Sequence, residues 1–401
     1  MRDDPIYVIL MGPLPPPIAG PELVTETLLD EGPMADIHYI FVDLSATSNT
    51  SRGRWSVYGV VRALKQAGRF AWVAWRWRTQ AKIVHLPLSQ SNPGVLRDLV
   101  LFRVAKIFGY KVVVQFHGGD FNRFWVRCRY RSLVSTTLSR ADKLLVFDHR
   151  IKTQFPFMGP SRIAVLPNPV PSAWGRAFAT LLERPREAKT LRILFVSHIS
   201  VAKGFLDLVE ALTGLPKAQA WELHIAGDRI DVEHNVVWTG ANMDDGWARA
   251  MQILTERGFM DRVTYHGIVT GEDKQRLFQS GHVLALPSYS EGLPLVILEA
   301  MYAGLAVIAT NVGAIPSLLP RAVLIRPGDV GALKTILATL DPVRCGVWGT
   351  ENRLRVERGY LPRQVVENLR ELYEEMGLQR PPIKLADRIP HRVASKWRSP
   401  P

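Results

Sequence analysis

Short apolar runs of strand length alternate along most of the chain with longer stretches of helical periodicity. In the first half Ile6 to Leu10, Lys82 to Pro87, Lys111 to Phe116 and Leu145 to Phe147 are dominated by apolar residues, and Ala164 to Pro169 closes this half. Leu191 to Val196, Val283 to Leu286 and Ala306 to Ala309 repeat the pattern in the second half. Such runs predict strands of a parallel sheet that are covered on both faces. Helical spacing fills the gaps, as from Val95 to Phe108 and from Leu293 to Met301, where Gly304 marks the end. A chain of 401 residues exceeds what one core usually organises. The expected fold is therefore α/β, with two Rossmann-like parallel-sheet halves facing across a cleft. Residues 1–180 form the first, Trp174 to Thr190 reads as a linker, and residues 190–360 form the second. Residues 361–378 supply a last helix and 379–401 a basic, Pro-rich tail.

The strand-loop-helix unit around Pro287 carries the densest chemistry. Glu291 lies in the loop, Gly292-Leu293-Pro294 follow directly, and Glu299 comes eight residues after Glu291, two turns into the expected helix. A loop at the carboxyl end of a parallel strand opens onto the ligand crevice of an open α/β sheet. The free N–H groups and positive dipole end of the next helix suit a phosphate. Two carboxylates beside such a place would repel the phosphate unless they face neutral hydroxyls, so sugar-type hydroxyl groups are their natural partners. The plain alternative is that Glu291 caps the helix and Glu299 is a solvated surface residue.

Glu291-Gly292-Leu293-Pro294, Glu299-Ala300 and Gly304, followed by Val307 to Pro316, resemble the donor-site signature of the retaining glycosyltransferases of family 4, the group 1 enzymes of GT-B fold. Phe195-Val196-Ser197-His198 with Lys203-Gly204, Val263 to Gly267, and Tyr360 to Met376 are similar to further marks of that family. The similarity covers nearly all of residues 190–376. It implies a two-domain GT-B fold whose last helix packs back toward the first domain, and retention of anomeric configuration. The substrates it implies are a nucleotide-diphospho-sugar donor and a lipid-linked or saccharide acceptor. No cofactor and no metal are implied, since nothing resembles an Asp-x-Asp motif. Fixed positive charge must then come from Lys203 and helix dipoles. The resemblance further implies that Glu291 holds sugar hydroxyls, Glu299 the ribose, and that His117 lies near the sugar. Lys203, Ser197, His198 and the Gly292, Leu293, Pro294 backbone are implied around the diphosphate. Two positions depart from the pattern. His198 stands where the family usually has an arginine, and Ala19-Gly20 stands where it more often has two glycines. On residue chemistry alone, Gly20 permits close backbone approach after β-strand Ile6 to Leu10. His117, at a strand end beside Gly118-Gly119, suits hydrogen-bond or acid-base work.

Net charge adds a partner. The chain carries +13, and Arg54 to Arg78 contains Arg54, Arg62, Lys65, Arg69, Arg76 and Arg78, no acid, and Trp55, Trp72, Trp75 and Trp77. Basic residues interleaved with tryptophan on a helix fit an anionic membrane surface. A buried helix face through Val57, Val60, Val61 and Leu64 is the alternative. No zinc-finger spacing, RNP pattern or heptad-linked basic region points to nucleic acid. Arg123, Arg127, Arg129 and Arg131 alternate with Phe124, Trp125 and Tyr130, a cationic aromatic edge suited to a phosphate-bearing lipid or simply to a surface helix. Without a signal-peptide pattern or a long apolar run the chain is expected in the cytoplasm, peripheral on the inner face of the membrane. Cys128 and Cys345 provide neither a disulfide framework nor a metal cluster. Asp228 to Asp261, with Asp231, Glu233, Asp244 and Asp245, is longer and more polar than the turn the resembled family usually has here, and reads either as a segment folding over the cleft or as an irregular surface insertion.

Three functions remain open on the residues. A retaining sugar transfer in bacterial cell-surface polysaccharide or glycolipid synthesis uses every residue named. A GT-B nucleotide-sugar epimerase or hydrolase keeps the fold and changes the reaction. A catalytically silent GT-B scaffold at a membrane has no need of Glu291, Glu299 and Lys203.

Overall fold

A computed structural model describes residues 5–16, 18–45, 57–178, 189–229 and 246–376. Arg54, Trp55, the acidic residues Asp231 to Asp245 and the tail from Gln379 lie outside the described residues. Two six-stranded sheets, each parallel throughout, form the frame. The first contains β1 (Ile6–Gly12), β2 (Ile37–Asp43), β3 (Ile83–Leu88), β4 (Lys111–Phe116), β5 (Lys143–Val146) and β6 (Ile163–Val165), in the order β2-β1-β3-β4-β5-β6. The second contains β7 (Leu191–Val196), β8 (Trp221–Ala226), β9 (Val263–Tyr265), β10 (Val283–Leu286), β11 (Ala306–Thr310) and β12 (Leu324–Ile325), in the order β12-β11-β10-β7-β8-β9. Helices on both faces explain why Val112, Val113, Leu284 and Val307 are all buried.

The order of each sheet fixes where a ligand fits. In the first sheet the chain runs from β1 outward to β2 and then returns past β1 to β3. In the second it runs β7-β8-β9 and returns past β7 to β10. The crevices open at the carboxyl ends of β1 and β3, and of β7 and β10, where the winding direction reverses. The loops after β7 and β10 are those that carry Lys203 and Glu291.

Two segments join the domains. The helix Ser172–Ala177 overlaps the start of the expected linker, which is therefore not an open connection there. Trp174 is buried against Phe178 and Phe278, and its indole donates to the Glu299 carbonyl at 2.9 Å. The helix Pro342–Gly359 packs on the second domain, and the helix Pro362–Glu375 then returns to the first. There Arg370 donates to the Ala35 carbonyl at 2.7 Å, and the Tyr373 hydroxyl meets His85 Nδ1 at 2.6 Å. Within Asp228 to Asp261, residues Gly246–Glu256 form a helix against the helix Phe205–Thr213, so that part is not an irregular insertion.

His85 makes the first domain acid-sensitive. It is 1% exposed, and burial pushes its pKa down to about 3. The unfolded chain therefore binds a proton that the folded one refuses. Stability is full above the ordinary histidine range and falls as pH drops toward 3. At about pH 4.5 this single group is expected to cost roughly 2–3 kcal/mol relative to neutral pH. Urea unfolding at several pH values checks this: the decline between neutrality and about pH 4.5 should be visibly shallower in His85→Gln, whatever that variant's absolute stability.

Candidate active site

Lys203 ends the short turn Val201–Lys203 after β7, and Gly204 follows at φ +72°. A side chain at Gly204 would meet the Pro287 carbonyl at 2.1 Å, so only glycine lets this turn approach the loop after β10. The two loops meet through charge. Lys203 Nζ donates to Glu291 Oε1 at 2.7 Å, with the two side chains 26% and 10% exposed. A pair this sheltered is only partly screened by water.

The first domain closes on the same place. His117 and Gly118-Gly119 follow β4, and a side chain at Gly119 would stand 1.7 Å from the Glu291 carbonyl. The bare backbone of the His117 loop thus rests on the Glu291 loop. Asn168 Nδ2, after β6, donates to the Leu293 carbonyl at 2.9 Å, and Ser317 Oγ donates to Asp148 Oδ2 at 2.7 Å. His117 itself is half-buried, with its ring edge-on to Phe147. Burial pushes its pKa down to about 4, so the ring is neutral near pH 7 and acts as a hydrogen-bond group rather than as a cation.

Glu299 is not a solvated surface residue. The helix begins at Leu295, later than the apolar spacing suggested, because Leu293 and Pro294 remain in the loop. Glu299 therefore sits in its second turn, 3% exposed, and Lys274 Nζ donates to both carboxylate oxygens at 2.8 and 2.7 Å. Lys274 also lies 5.4 Å from the centre of the Trp174 ring, a cation-π contact that holds the ammonium in place. A carboxylate has about four lone-pair directions, so a single lysine leaves acceptor capacity for a diol. Two glutamates are thus balanced by two lysines around the crevice.

The remaining expected residues fall around this centre with different roles. Gly292 has its carbonyl bonded to the Ala314 amide at 2.9 Å. The Leu293 side chain is buried and its carbonyl taken by Asn168, so it supports the loop from inside. Pro294 precedes the helix and provides no side-chain cap. Ser197 and His198 lie on the loop between β7 and Lys203, Ser197 half-buried and His198 exposed. Gly20 opens the helix Gly20–Glu31 at the carboxyl end of β1, with no atom within 4 Å of where a side chain would start, so space rather than crowding surrounds it. Lys274, Trp174 and Asn168 were missed by sequence reasoning. Lys274 sits in a helix whose Glu272, Asp273 and Arg276 look like an ordinary charged surface. Only the apolar Phe278 and Leu277 beside it hinted at a buried side.

Residues 190–340 match the family described as glycosyl transferases group 1. The chain is similar to the sulfoquinovosyl transferase SQD2 of Arabidopsis thaliana, 40% identical over 82 residues, covering 19% of this chain and 16% of that one. It is also similar to the D-inositol 3-phosphate glycosyltransferase of Mycolicibacterium paratuberculosis, 37% identical over 141 residues, covering 35% and 28%. The chain thus spans well under half the length of the curated relatives it matches. The crystal structure of Anabaena Alr3699/HepE in complex with UDP superposes with a TM-score of 0.64 at 16% identity, covering 92% of this chain and all of that one, which shows a shared fold. Residues 190–340 thus match the group 1 glycosyl transferase model, and the chain as a whole has a two-domain GT-B fold.

Proposed function

We propose that the protein transfers a sugar, with retention of anomeric configuration, from a nucleotide-diphospho-sugar to a lipid-linked or saccharide acceptor in bacterial cell-surface polysaccharide or glycolipid synthesis. The observation that carries this is the Lys203–Glu291 pair at the winding reversal of the second sheet, closed over by the His117 loop. A diphosphate takes Lys203, and the released Glu291 receives sugar hydroxyls. Glu299, fixed by Lys274, accepts from the ribose. The bond between the anomeric carbon and the phosphate oxygen breaks, and its electron pair leaves with the diphosphate. The acceptor oxygen bonds to the same face of that carbon and gives its proton to the departing phosphate oxygen. Lys203, together with helix dipoles, stabilises the charge that develops there. Neutral His117 donates to or accepts from a sugar hydroxyl. The complex of the Anabaena structure with UDP supports the donor class.

A panel of UDP-, GDP- and ADP-sugars tests the reading. At about a hundredfold excess over Kd the matching donor should stabilise the fold by roughly 2.7 kcal/mol, and radiolabel should then move into an acceptor fraction. Turnover to free sugar or an epimer without any acceptor would favour the hydrolase or epimerase reading. No stabilisation by any donor, with or without vesicles, would favour the silent scaffold.

The acceptor side is proposed to lie at an anionic membrane. On the helix Val57–Trp77 the residues Val60, Val61 and Leu64 are exposed, against the alternative reading of a buried face, and Trp72 and Trp75 are 63% and 52% exposed. At 100° per residue these side chains form one arc, and exposed Lys65, Arg69 and Arg76 border it on one side. Phe70, Val73 and Ala74 face the core instead. An apolar arc flanked by bases lies in a lipid interface. Among the described residues no helix is long and apolar enough to cross the membrane. Cosedimentation with phosphatidylglycerol vesicles should exceed that with phosphatidylcholine vesicles. The double change Trp72→Ser, Trp75→Ser should weaken it by about tenfold or more. Equal binding by the variant would overturn the membrane assignment.

A further inference from the structure

The segment that leaves the first domain carries a tryptophan seated against Glu299. Ser172 Oγ donates to Glu31 Oε1 at 2.6 Å, which ties the start of the helix Ser172–Ala177 to the first domain, and both residues are buried. Two residues on, Trp174 meets the second domain in three ways. Its indole N–H donates to the Glu299 carbonyl at 2.9 Å, its ring stands edge-on to Phe278 at 4.9 Å, and Lys274 Nζ lies over it, 5.4 Å from its centre. Phe178 stacks on the same ring at 4.8 Å, and the Phe178 carbonyl accepts from Arg353 Nη2 at 2.7 Å. A buried indole needs an acceptor, and any carbonyl would serve. Burial does not require that this carbonyl belong to the residue whose carboxylate Lys274 holds by both oxygens. The Glu299 carbonyl already accepts from the Ala303 amide at 2.9 Å, so the indole is a second donor to it rather than the rescue of an unmet group. Lys274 needs fixing as well. Its ammonium sits on a long flexible stem, 19% exposed, and would otherwise trade the carboxylate for water. The rings of Trp174 and Phe278, at 5.4 and 5.9 Å, hold it on Glu299.

We infer that Trp174 is a positioning residue for the donor's ribose: it fixes the backbone of Glu299 directly and the carboxylate of Glu299 through Lys274. Ribose recognition is thereby built with a side chain from outside the second domain, although Glu299 and Lys274 both belong to that domain. Both hydroxyls of a vicinal diol must reach one carboxylate, so a tilt of that group weakens two charge-assisted hydrogen bonds together. The inference rests on the proposed role of Glu299 at the ribose, and the test separates the two.

Titration calorimetry uses whichever of UDP, GDP and ADP stabilises the wild type, and its 2′,3′-dideoxy counterpart, which keeps base and diphosphate and lacks both hydroxyls. Trp174→Leu should weaken the ordinary nucleotide by about tenfold and the dideoxy nucleotide by less than about twofold. Trp174→Phe keeps a ring beside Lys274 and loses the indole N–H, so its loss should fall between those of wild type and Trp174→Leu. Ser317→Ala removes a different contact between the domains, the 2.7 Å bond to Asp148, and should discriminate between the two nucleotides as the wild type does. Equal losses of both nucleotides in Trp174→Leu would mean general damage to the site and would overturn the inference. Lys274 is also followed without ligand, through the rate of its acetylation read by mass spectrometry. Trp174→Leu should raise that rate severalfold and leave Lys106, paired with Asp142 in the first domain, unchanged. An unchanged Lys274 rate would equally overturn the inference. If Lys106 speeds up too, Trp174→Leu is not folded and Trp174→Phe is judged by the same two criteria. If Lys274 responds while the wild type binds none of the three nucleotides, Trp174 still positions the Glu299–Lys274 pair and the proposed function fails.

Discussion

Lys203→Ala is expected to lower kcat/KM for transfer by about 10²–10³-fold, the loss found when one fixed electrostatic group at a developing anion is removed. In the proposed transfer the leaving diphosphate gains charge as its bond to the sugar breaks, and Lys203, the residue proposed to meet that charge, is held by structure on both sides. The turn Val201–Lys203 fixes its backbone, and Gly204 locks the turn against Pro287. The ammonium is already in place, so little reorganisation accompanies the reaction. Lys203→Arg should recover only part of the loss, because a planar guanidinium cannot take the ammonium's position between Glu291 and the diphosphate without moving one of them. Steady-state kinetics with the donor identified by stabilisation checks this. A loss below about threefold, some 0.6 kcal/mol, would mean that the charge is supplied elsewhere and would remove Lys203 from the mechanism.

The frame of this site was legible because buried parallel strands announce themselves. Val283 to Leu286 and Ala306 to Ala309 read as strands without help from neighbours, and the loop between them had to sit at a sheet's carboxyl edge. Less legible were strands where polar and aromatic residues interrupt the apolar run. Ile37–Asp43 has exposed His38 at a sheet edge, and Trp221–Ala226 alternates Glu222 and His224 with apolar residues. Pairing across the chain was not legible at all. Nothing in the spacing of Glu299 reveals that Lys274, twenty-five residues earlier, takes both its oxygens, or that Trp174 from the other domain holds its carbonyl. The same limit applied to the helix Val57–Trp77. Its periodicity gave two faces, but only the position of β1 and of the helix Asn92–Ile107 beneath it decides which face is free. Local sequence encodes an element and its periodicity, whereas partners depend on how distant elements stack.

Glu291→Gln is expected to have opposite effects on the two halves of the cycle: tighter binding of the nucleoside diphosphate and transfer reduced by about 10²-fold. In the resting site the Lys203 ammonium is engaged by Glu291 at 2.7 Å. A diphosphate must win the lysine from this carboxylate and then lie beside the carboxylate's negative charge. Glutamine keeps the shape and removes both obstacles, so binding of UDP, GDP or ADP, whichever the site accepts, should tighten by about three- to tenfold, roughly 0.6–1.4 kcal/mol. The sugar loses instead. A carboxylate accepts strongly from two hydroxyls, whereas an amide presents one acceptor and one donor, and the charge that balances the oxocarbenium-like centre is gone. Titration calorimetry with the nucleoside diphosphate and kinetics with the sugar donor measure the two effects separately. The double variant Lys203→Ala, Glu291→Gln completes the cycle, and its coupling energy should fall within the range of about 0.5–3 kcal/mol expected for side chains in contact. If Glu291→Gln weakens the diphosphate as Lys203→Ala does, the carboxylate serves to orient the lysine for the phosphate rather than to compete with it. The sugar would then need another acceptor in the cleft.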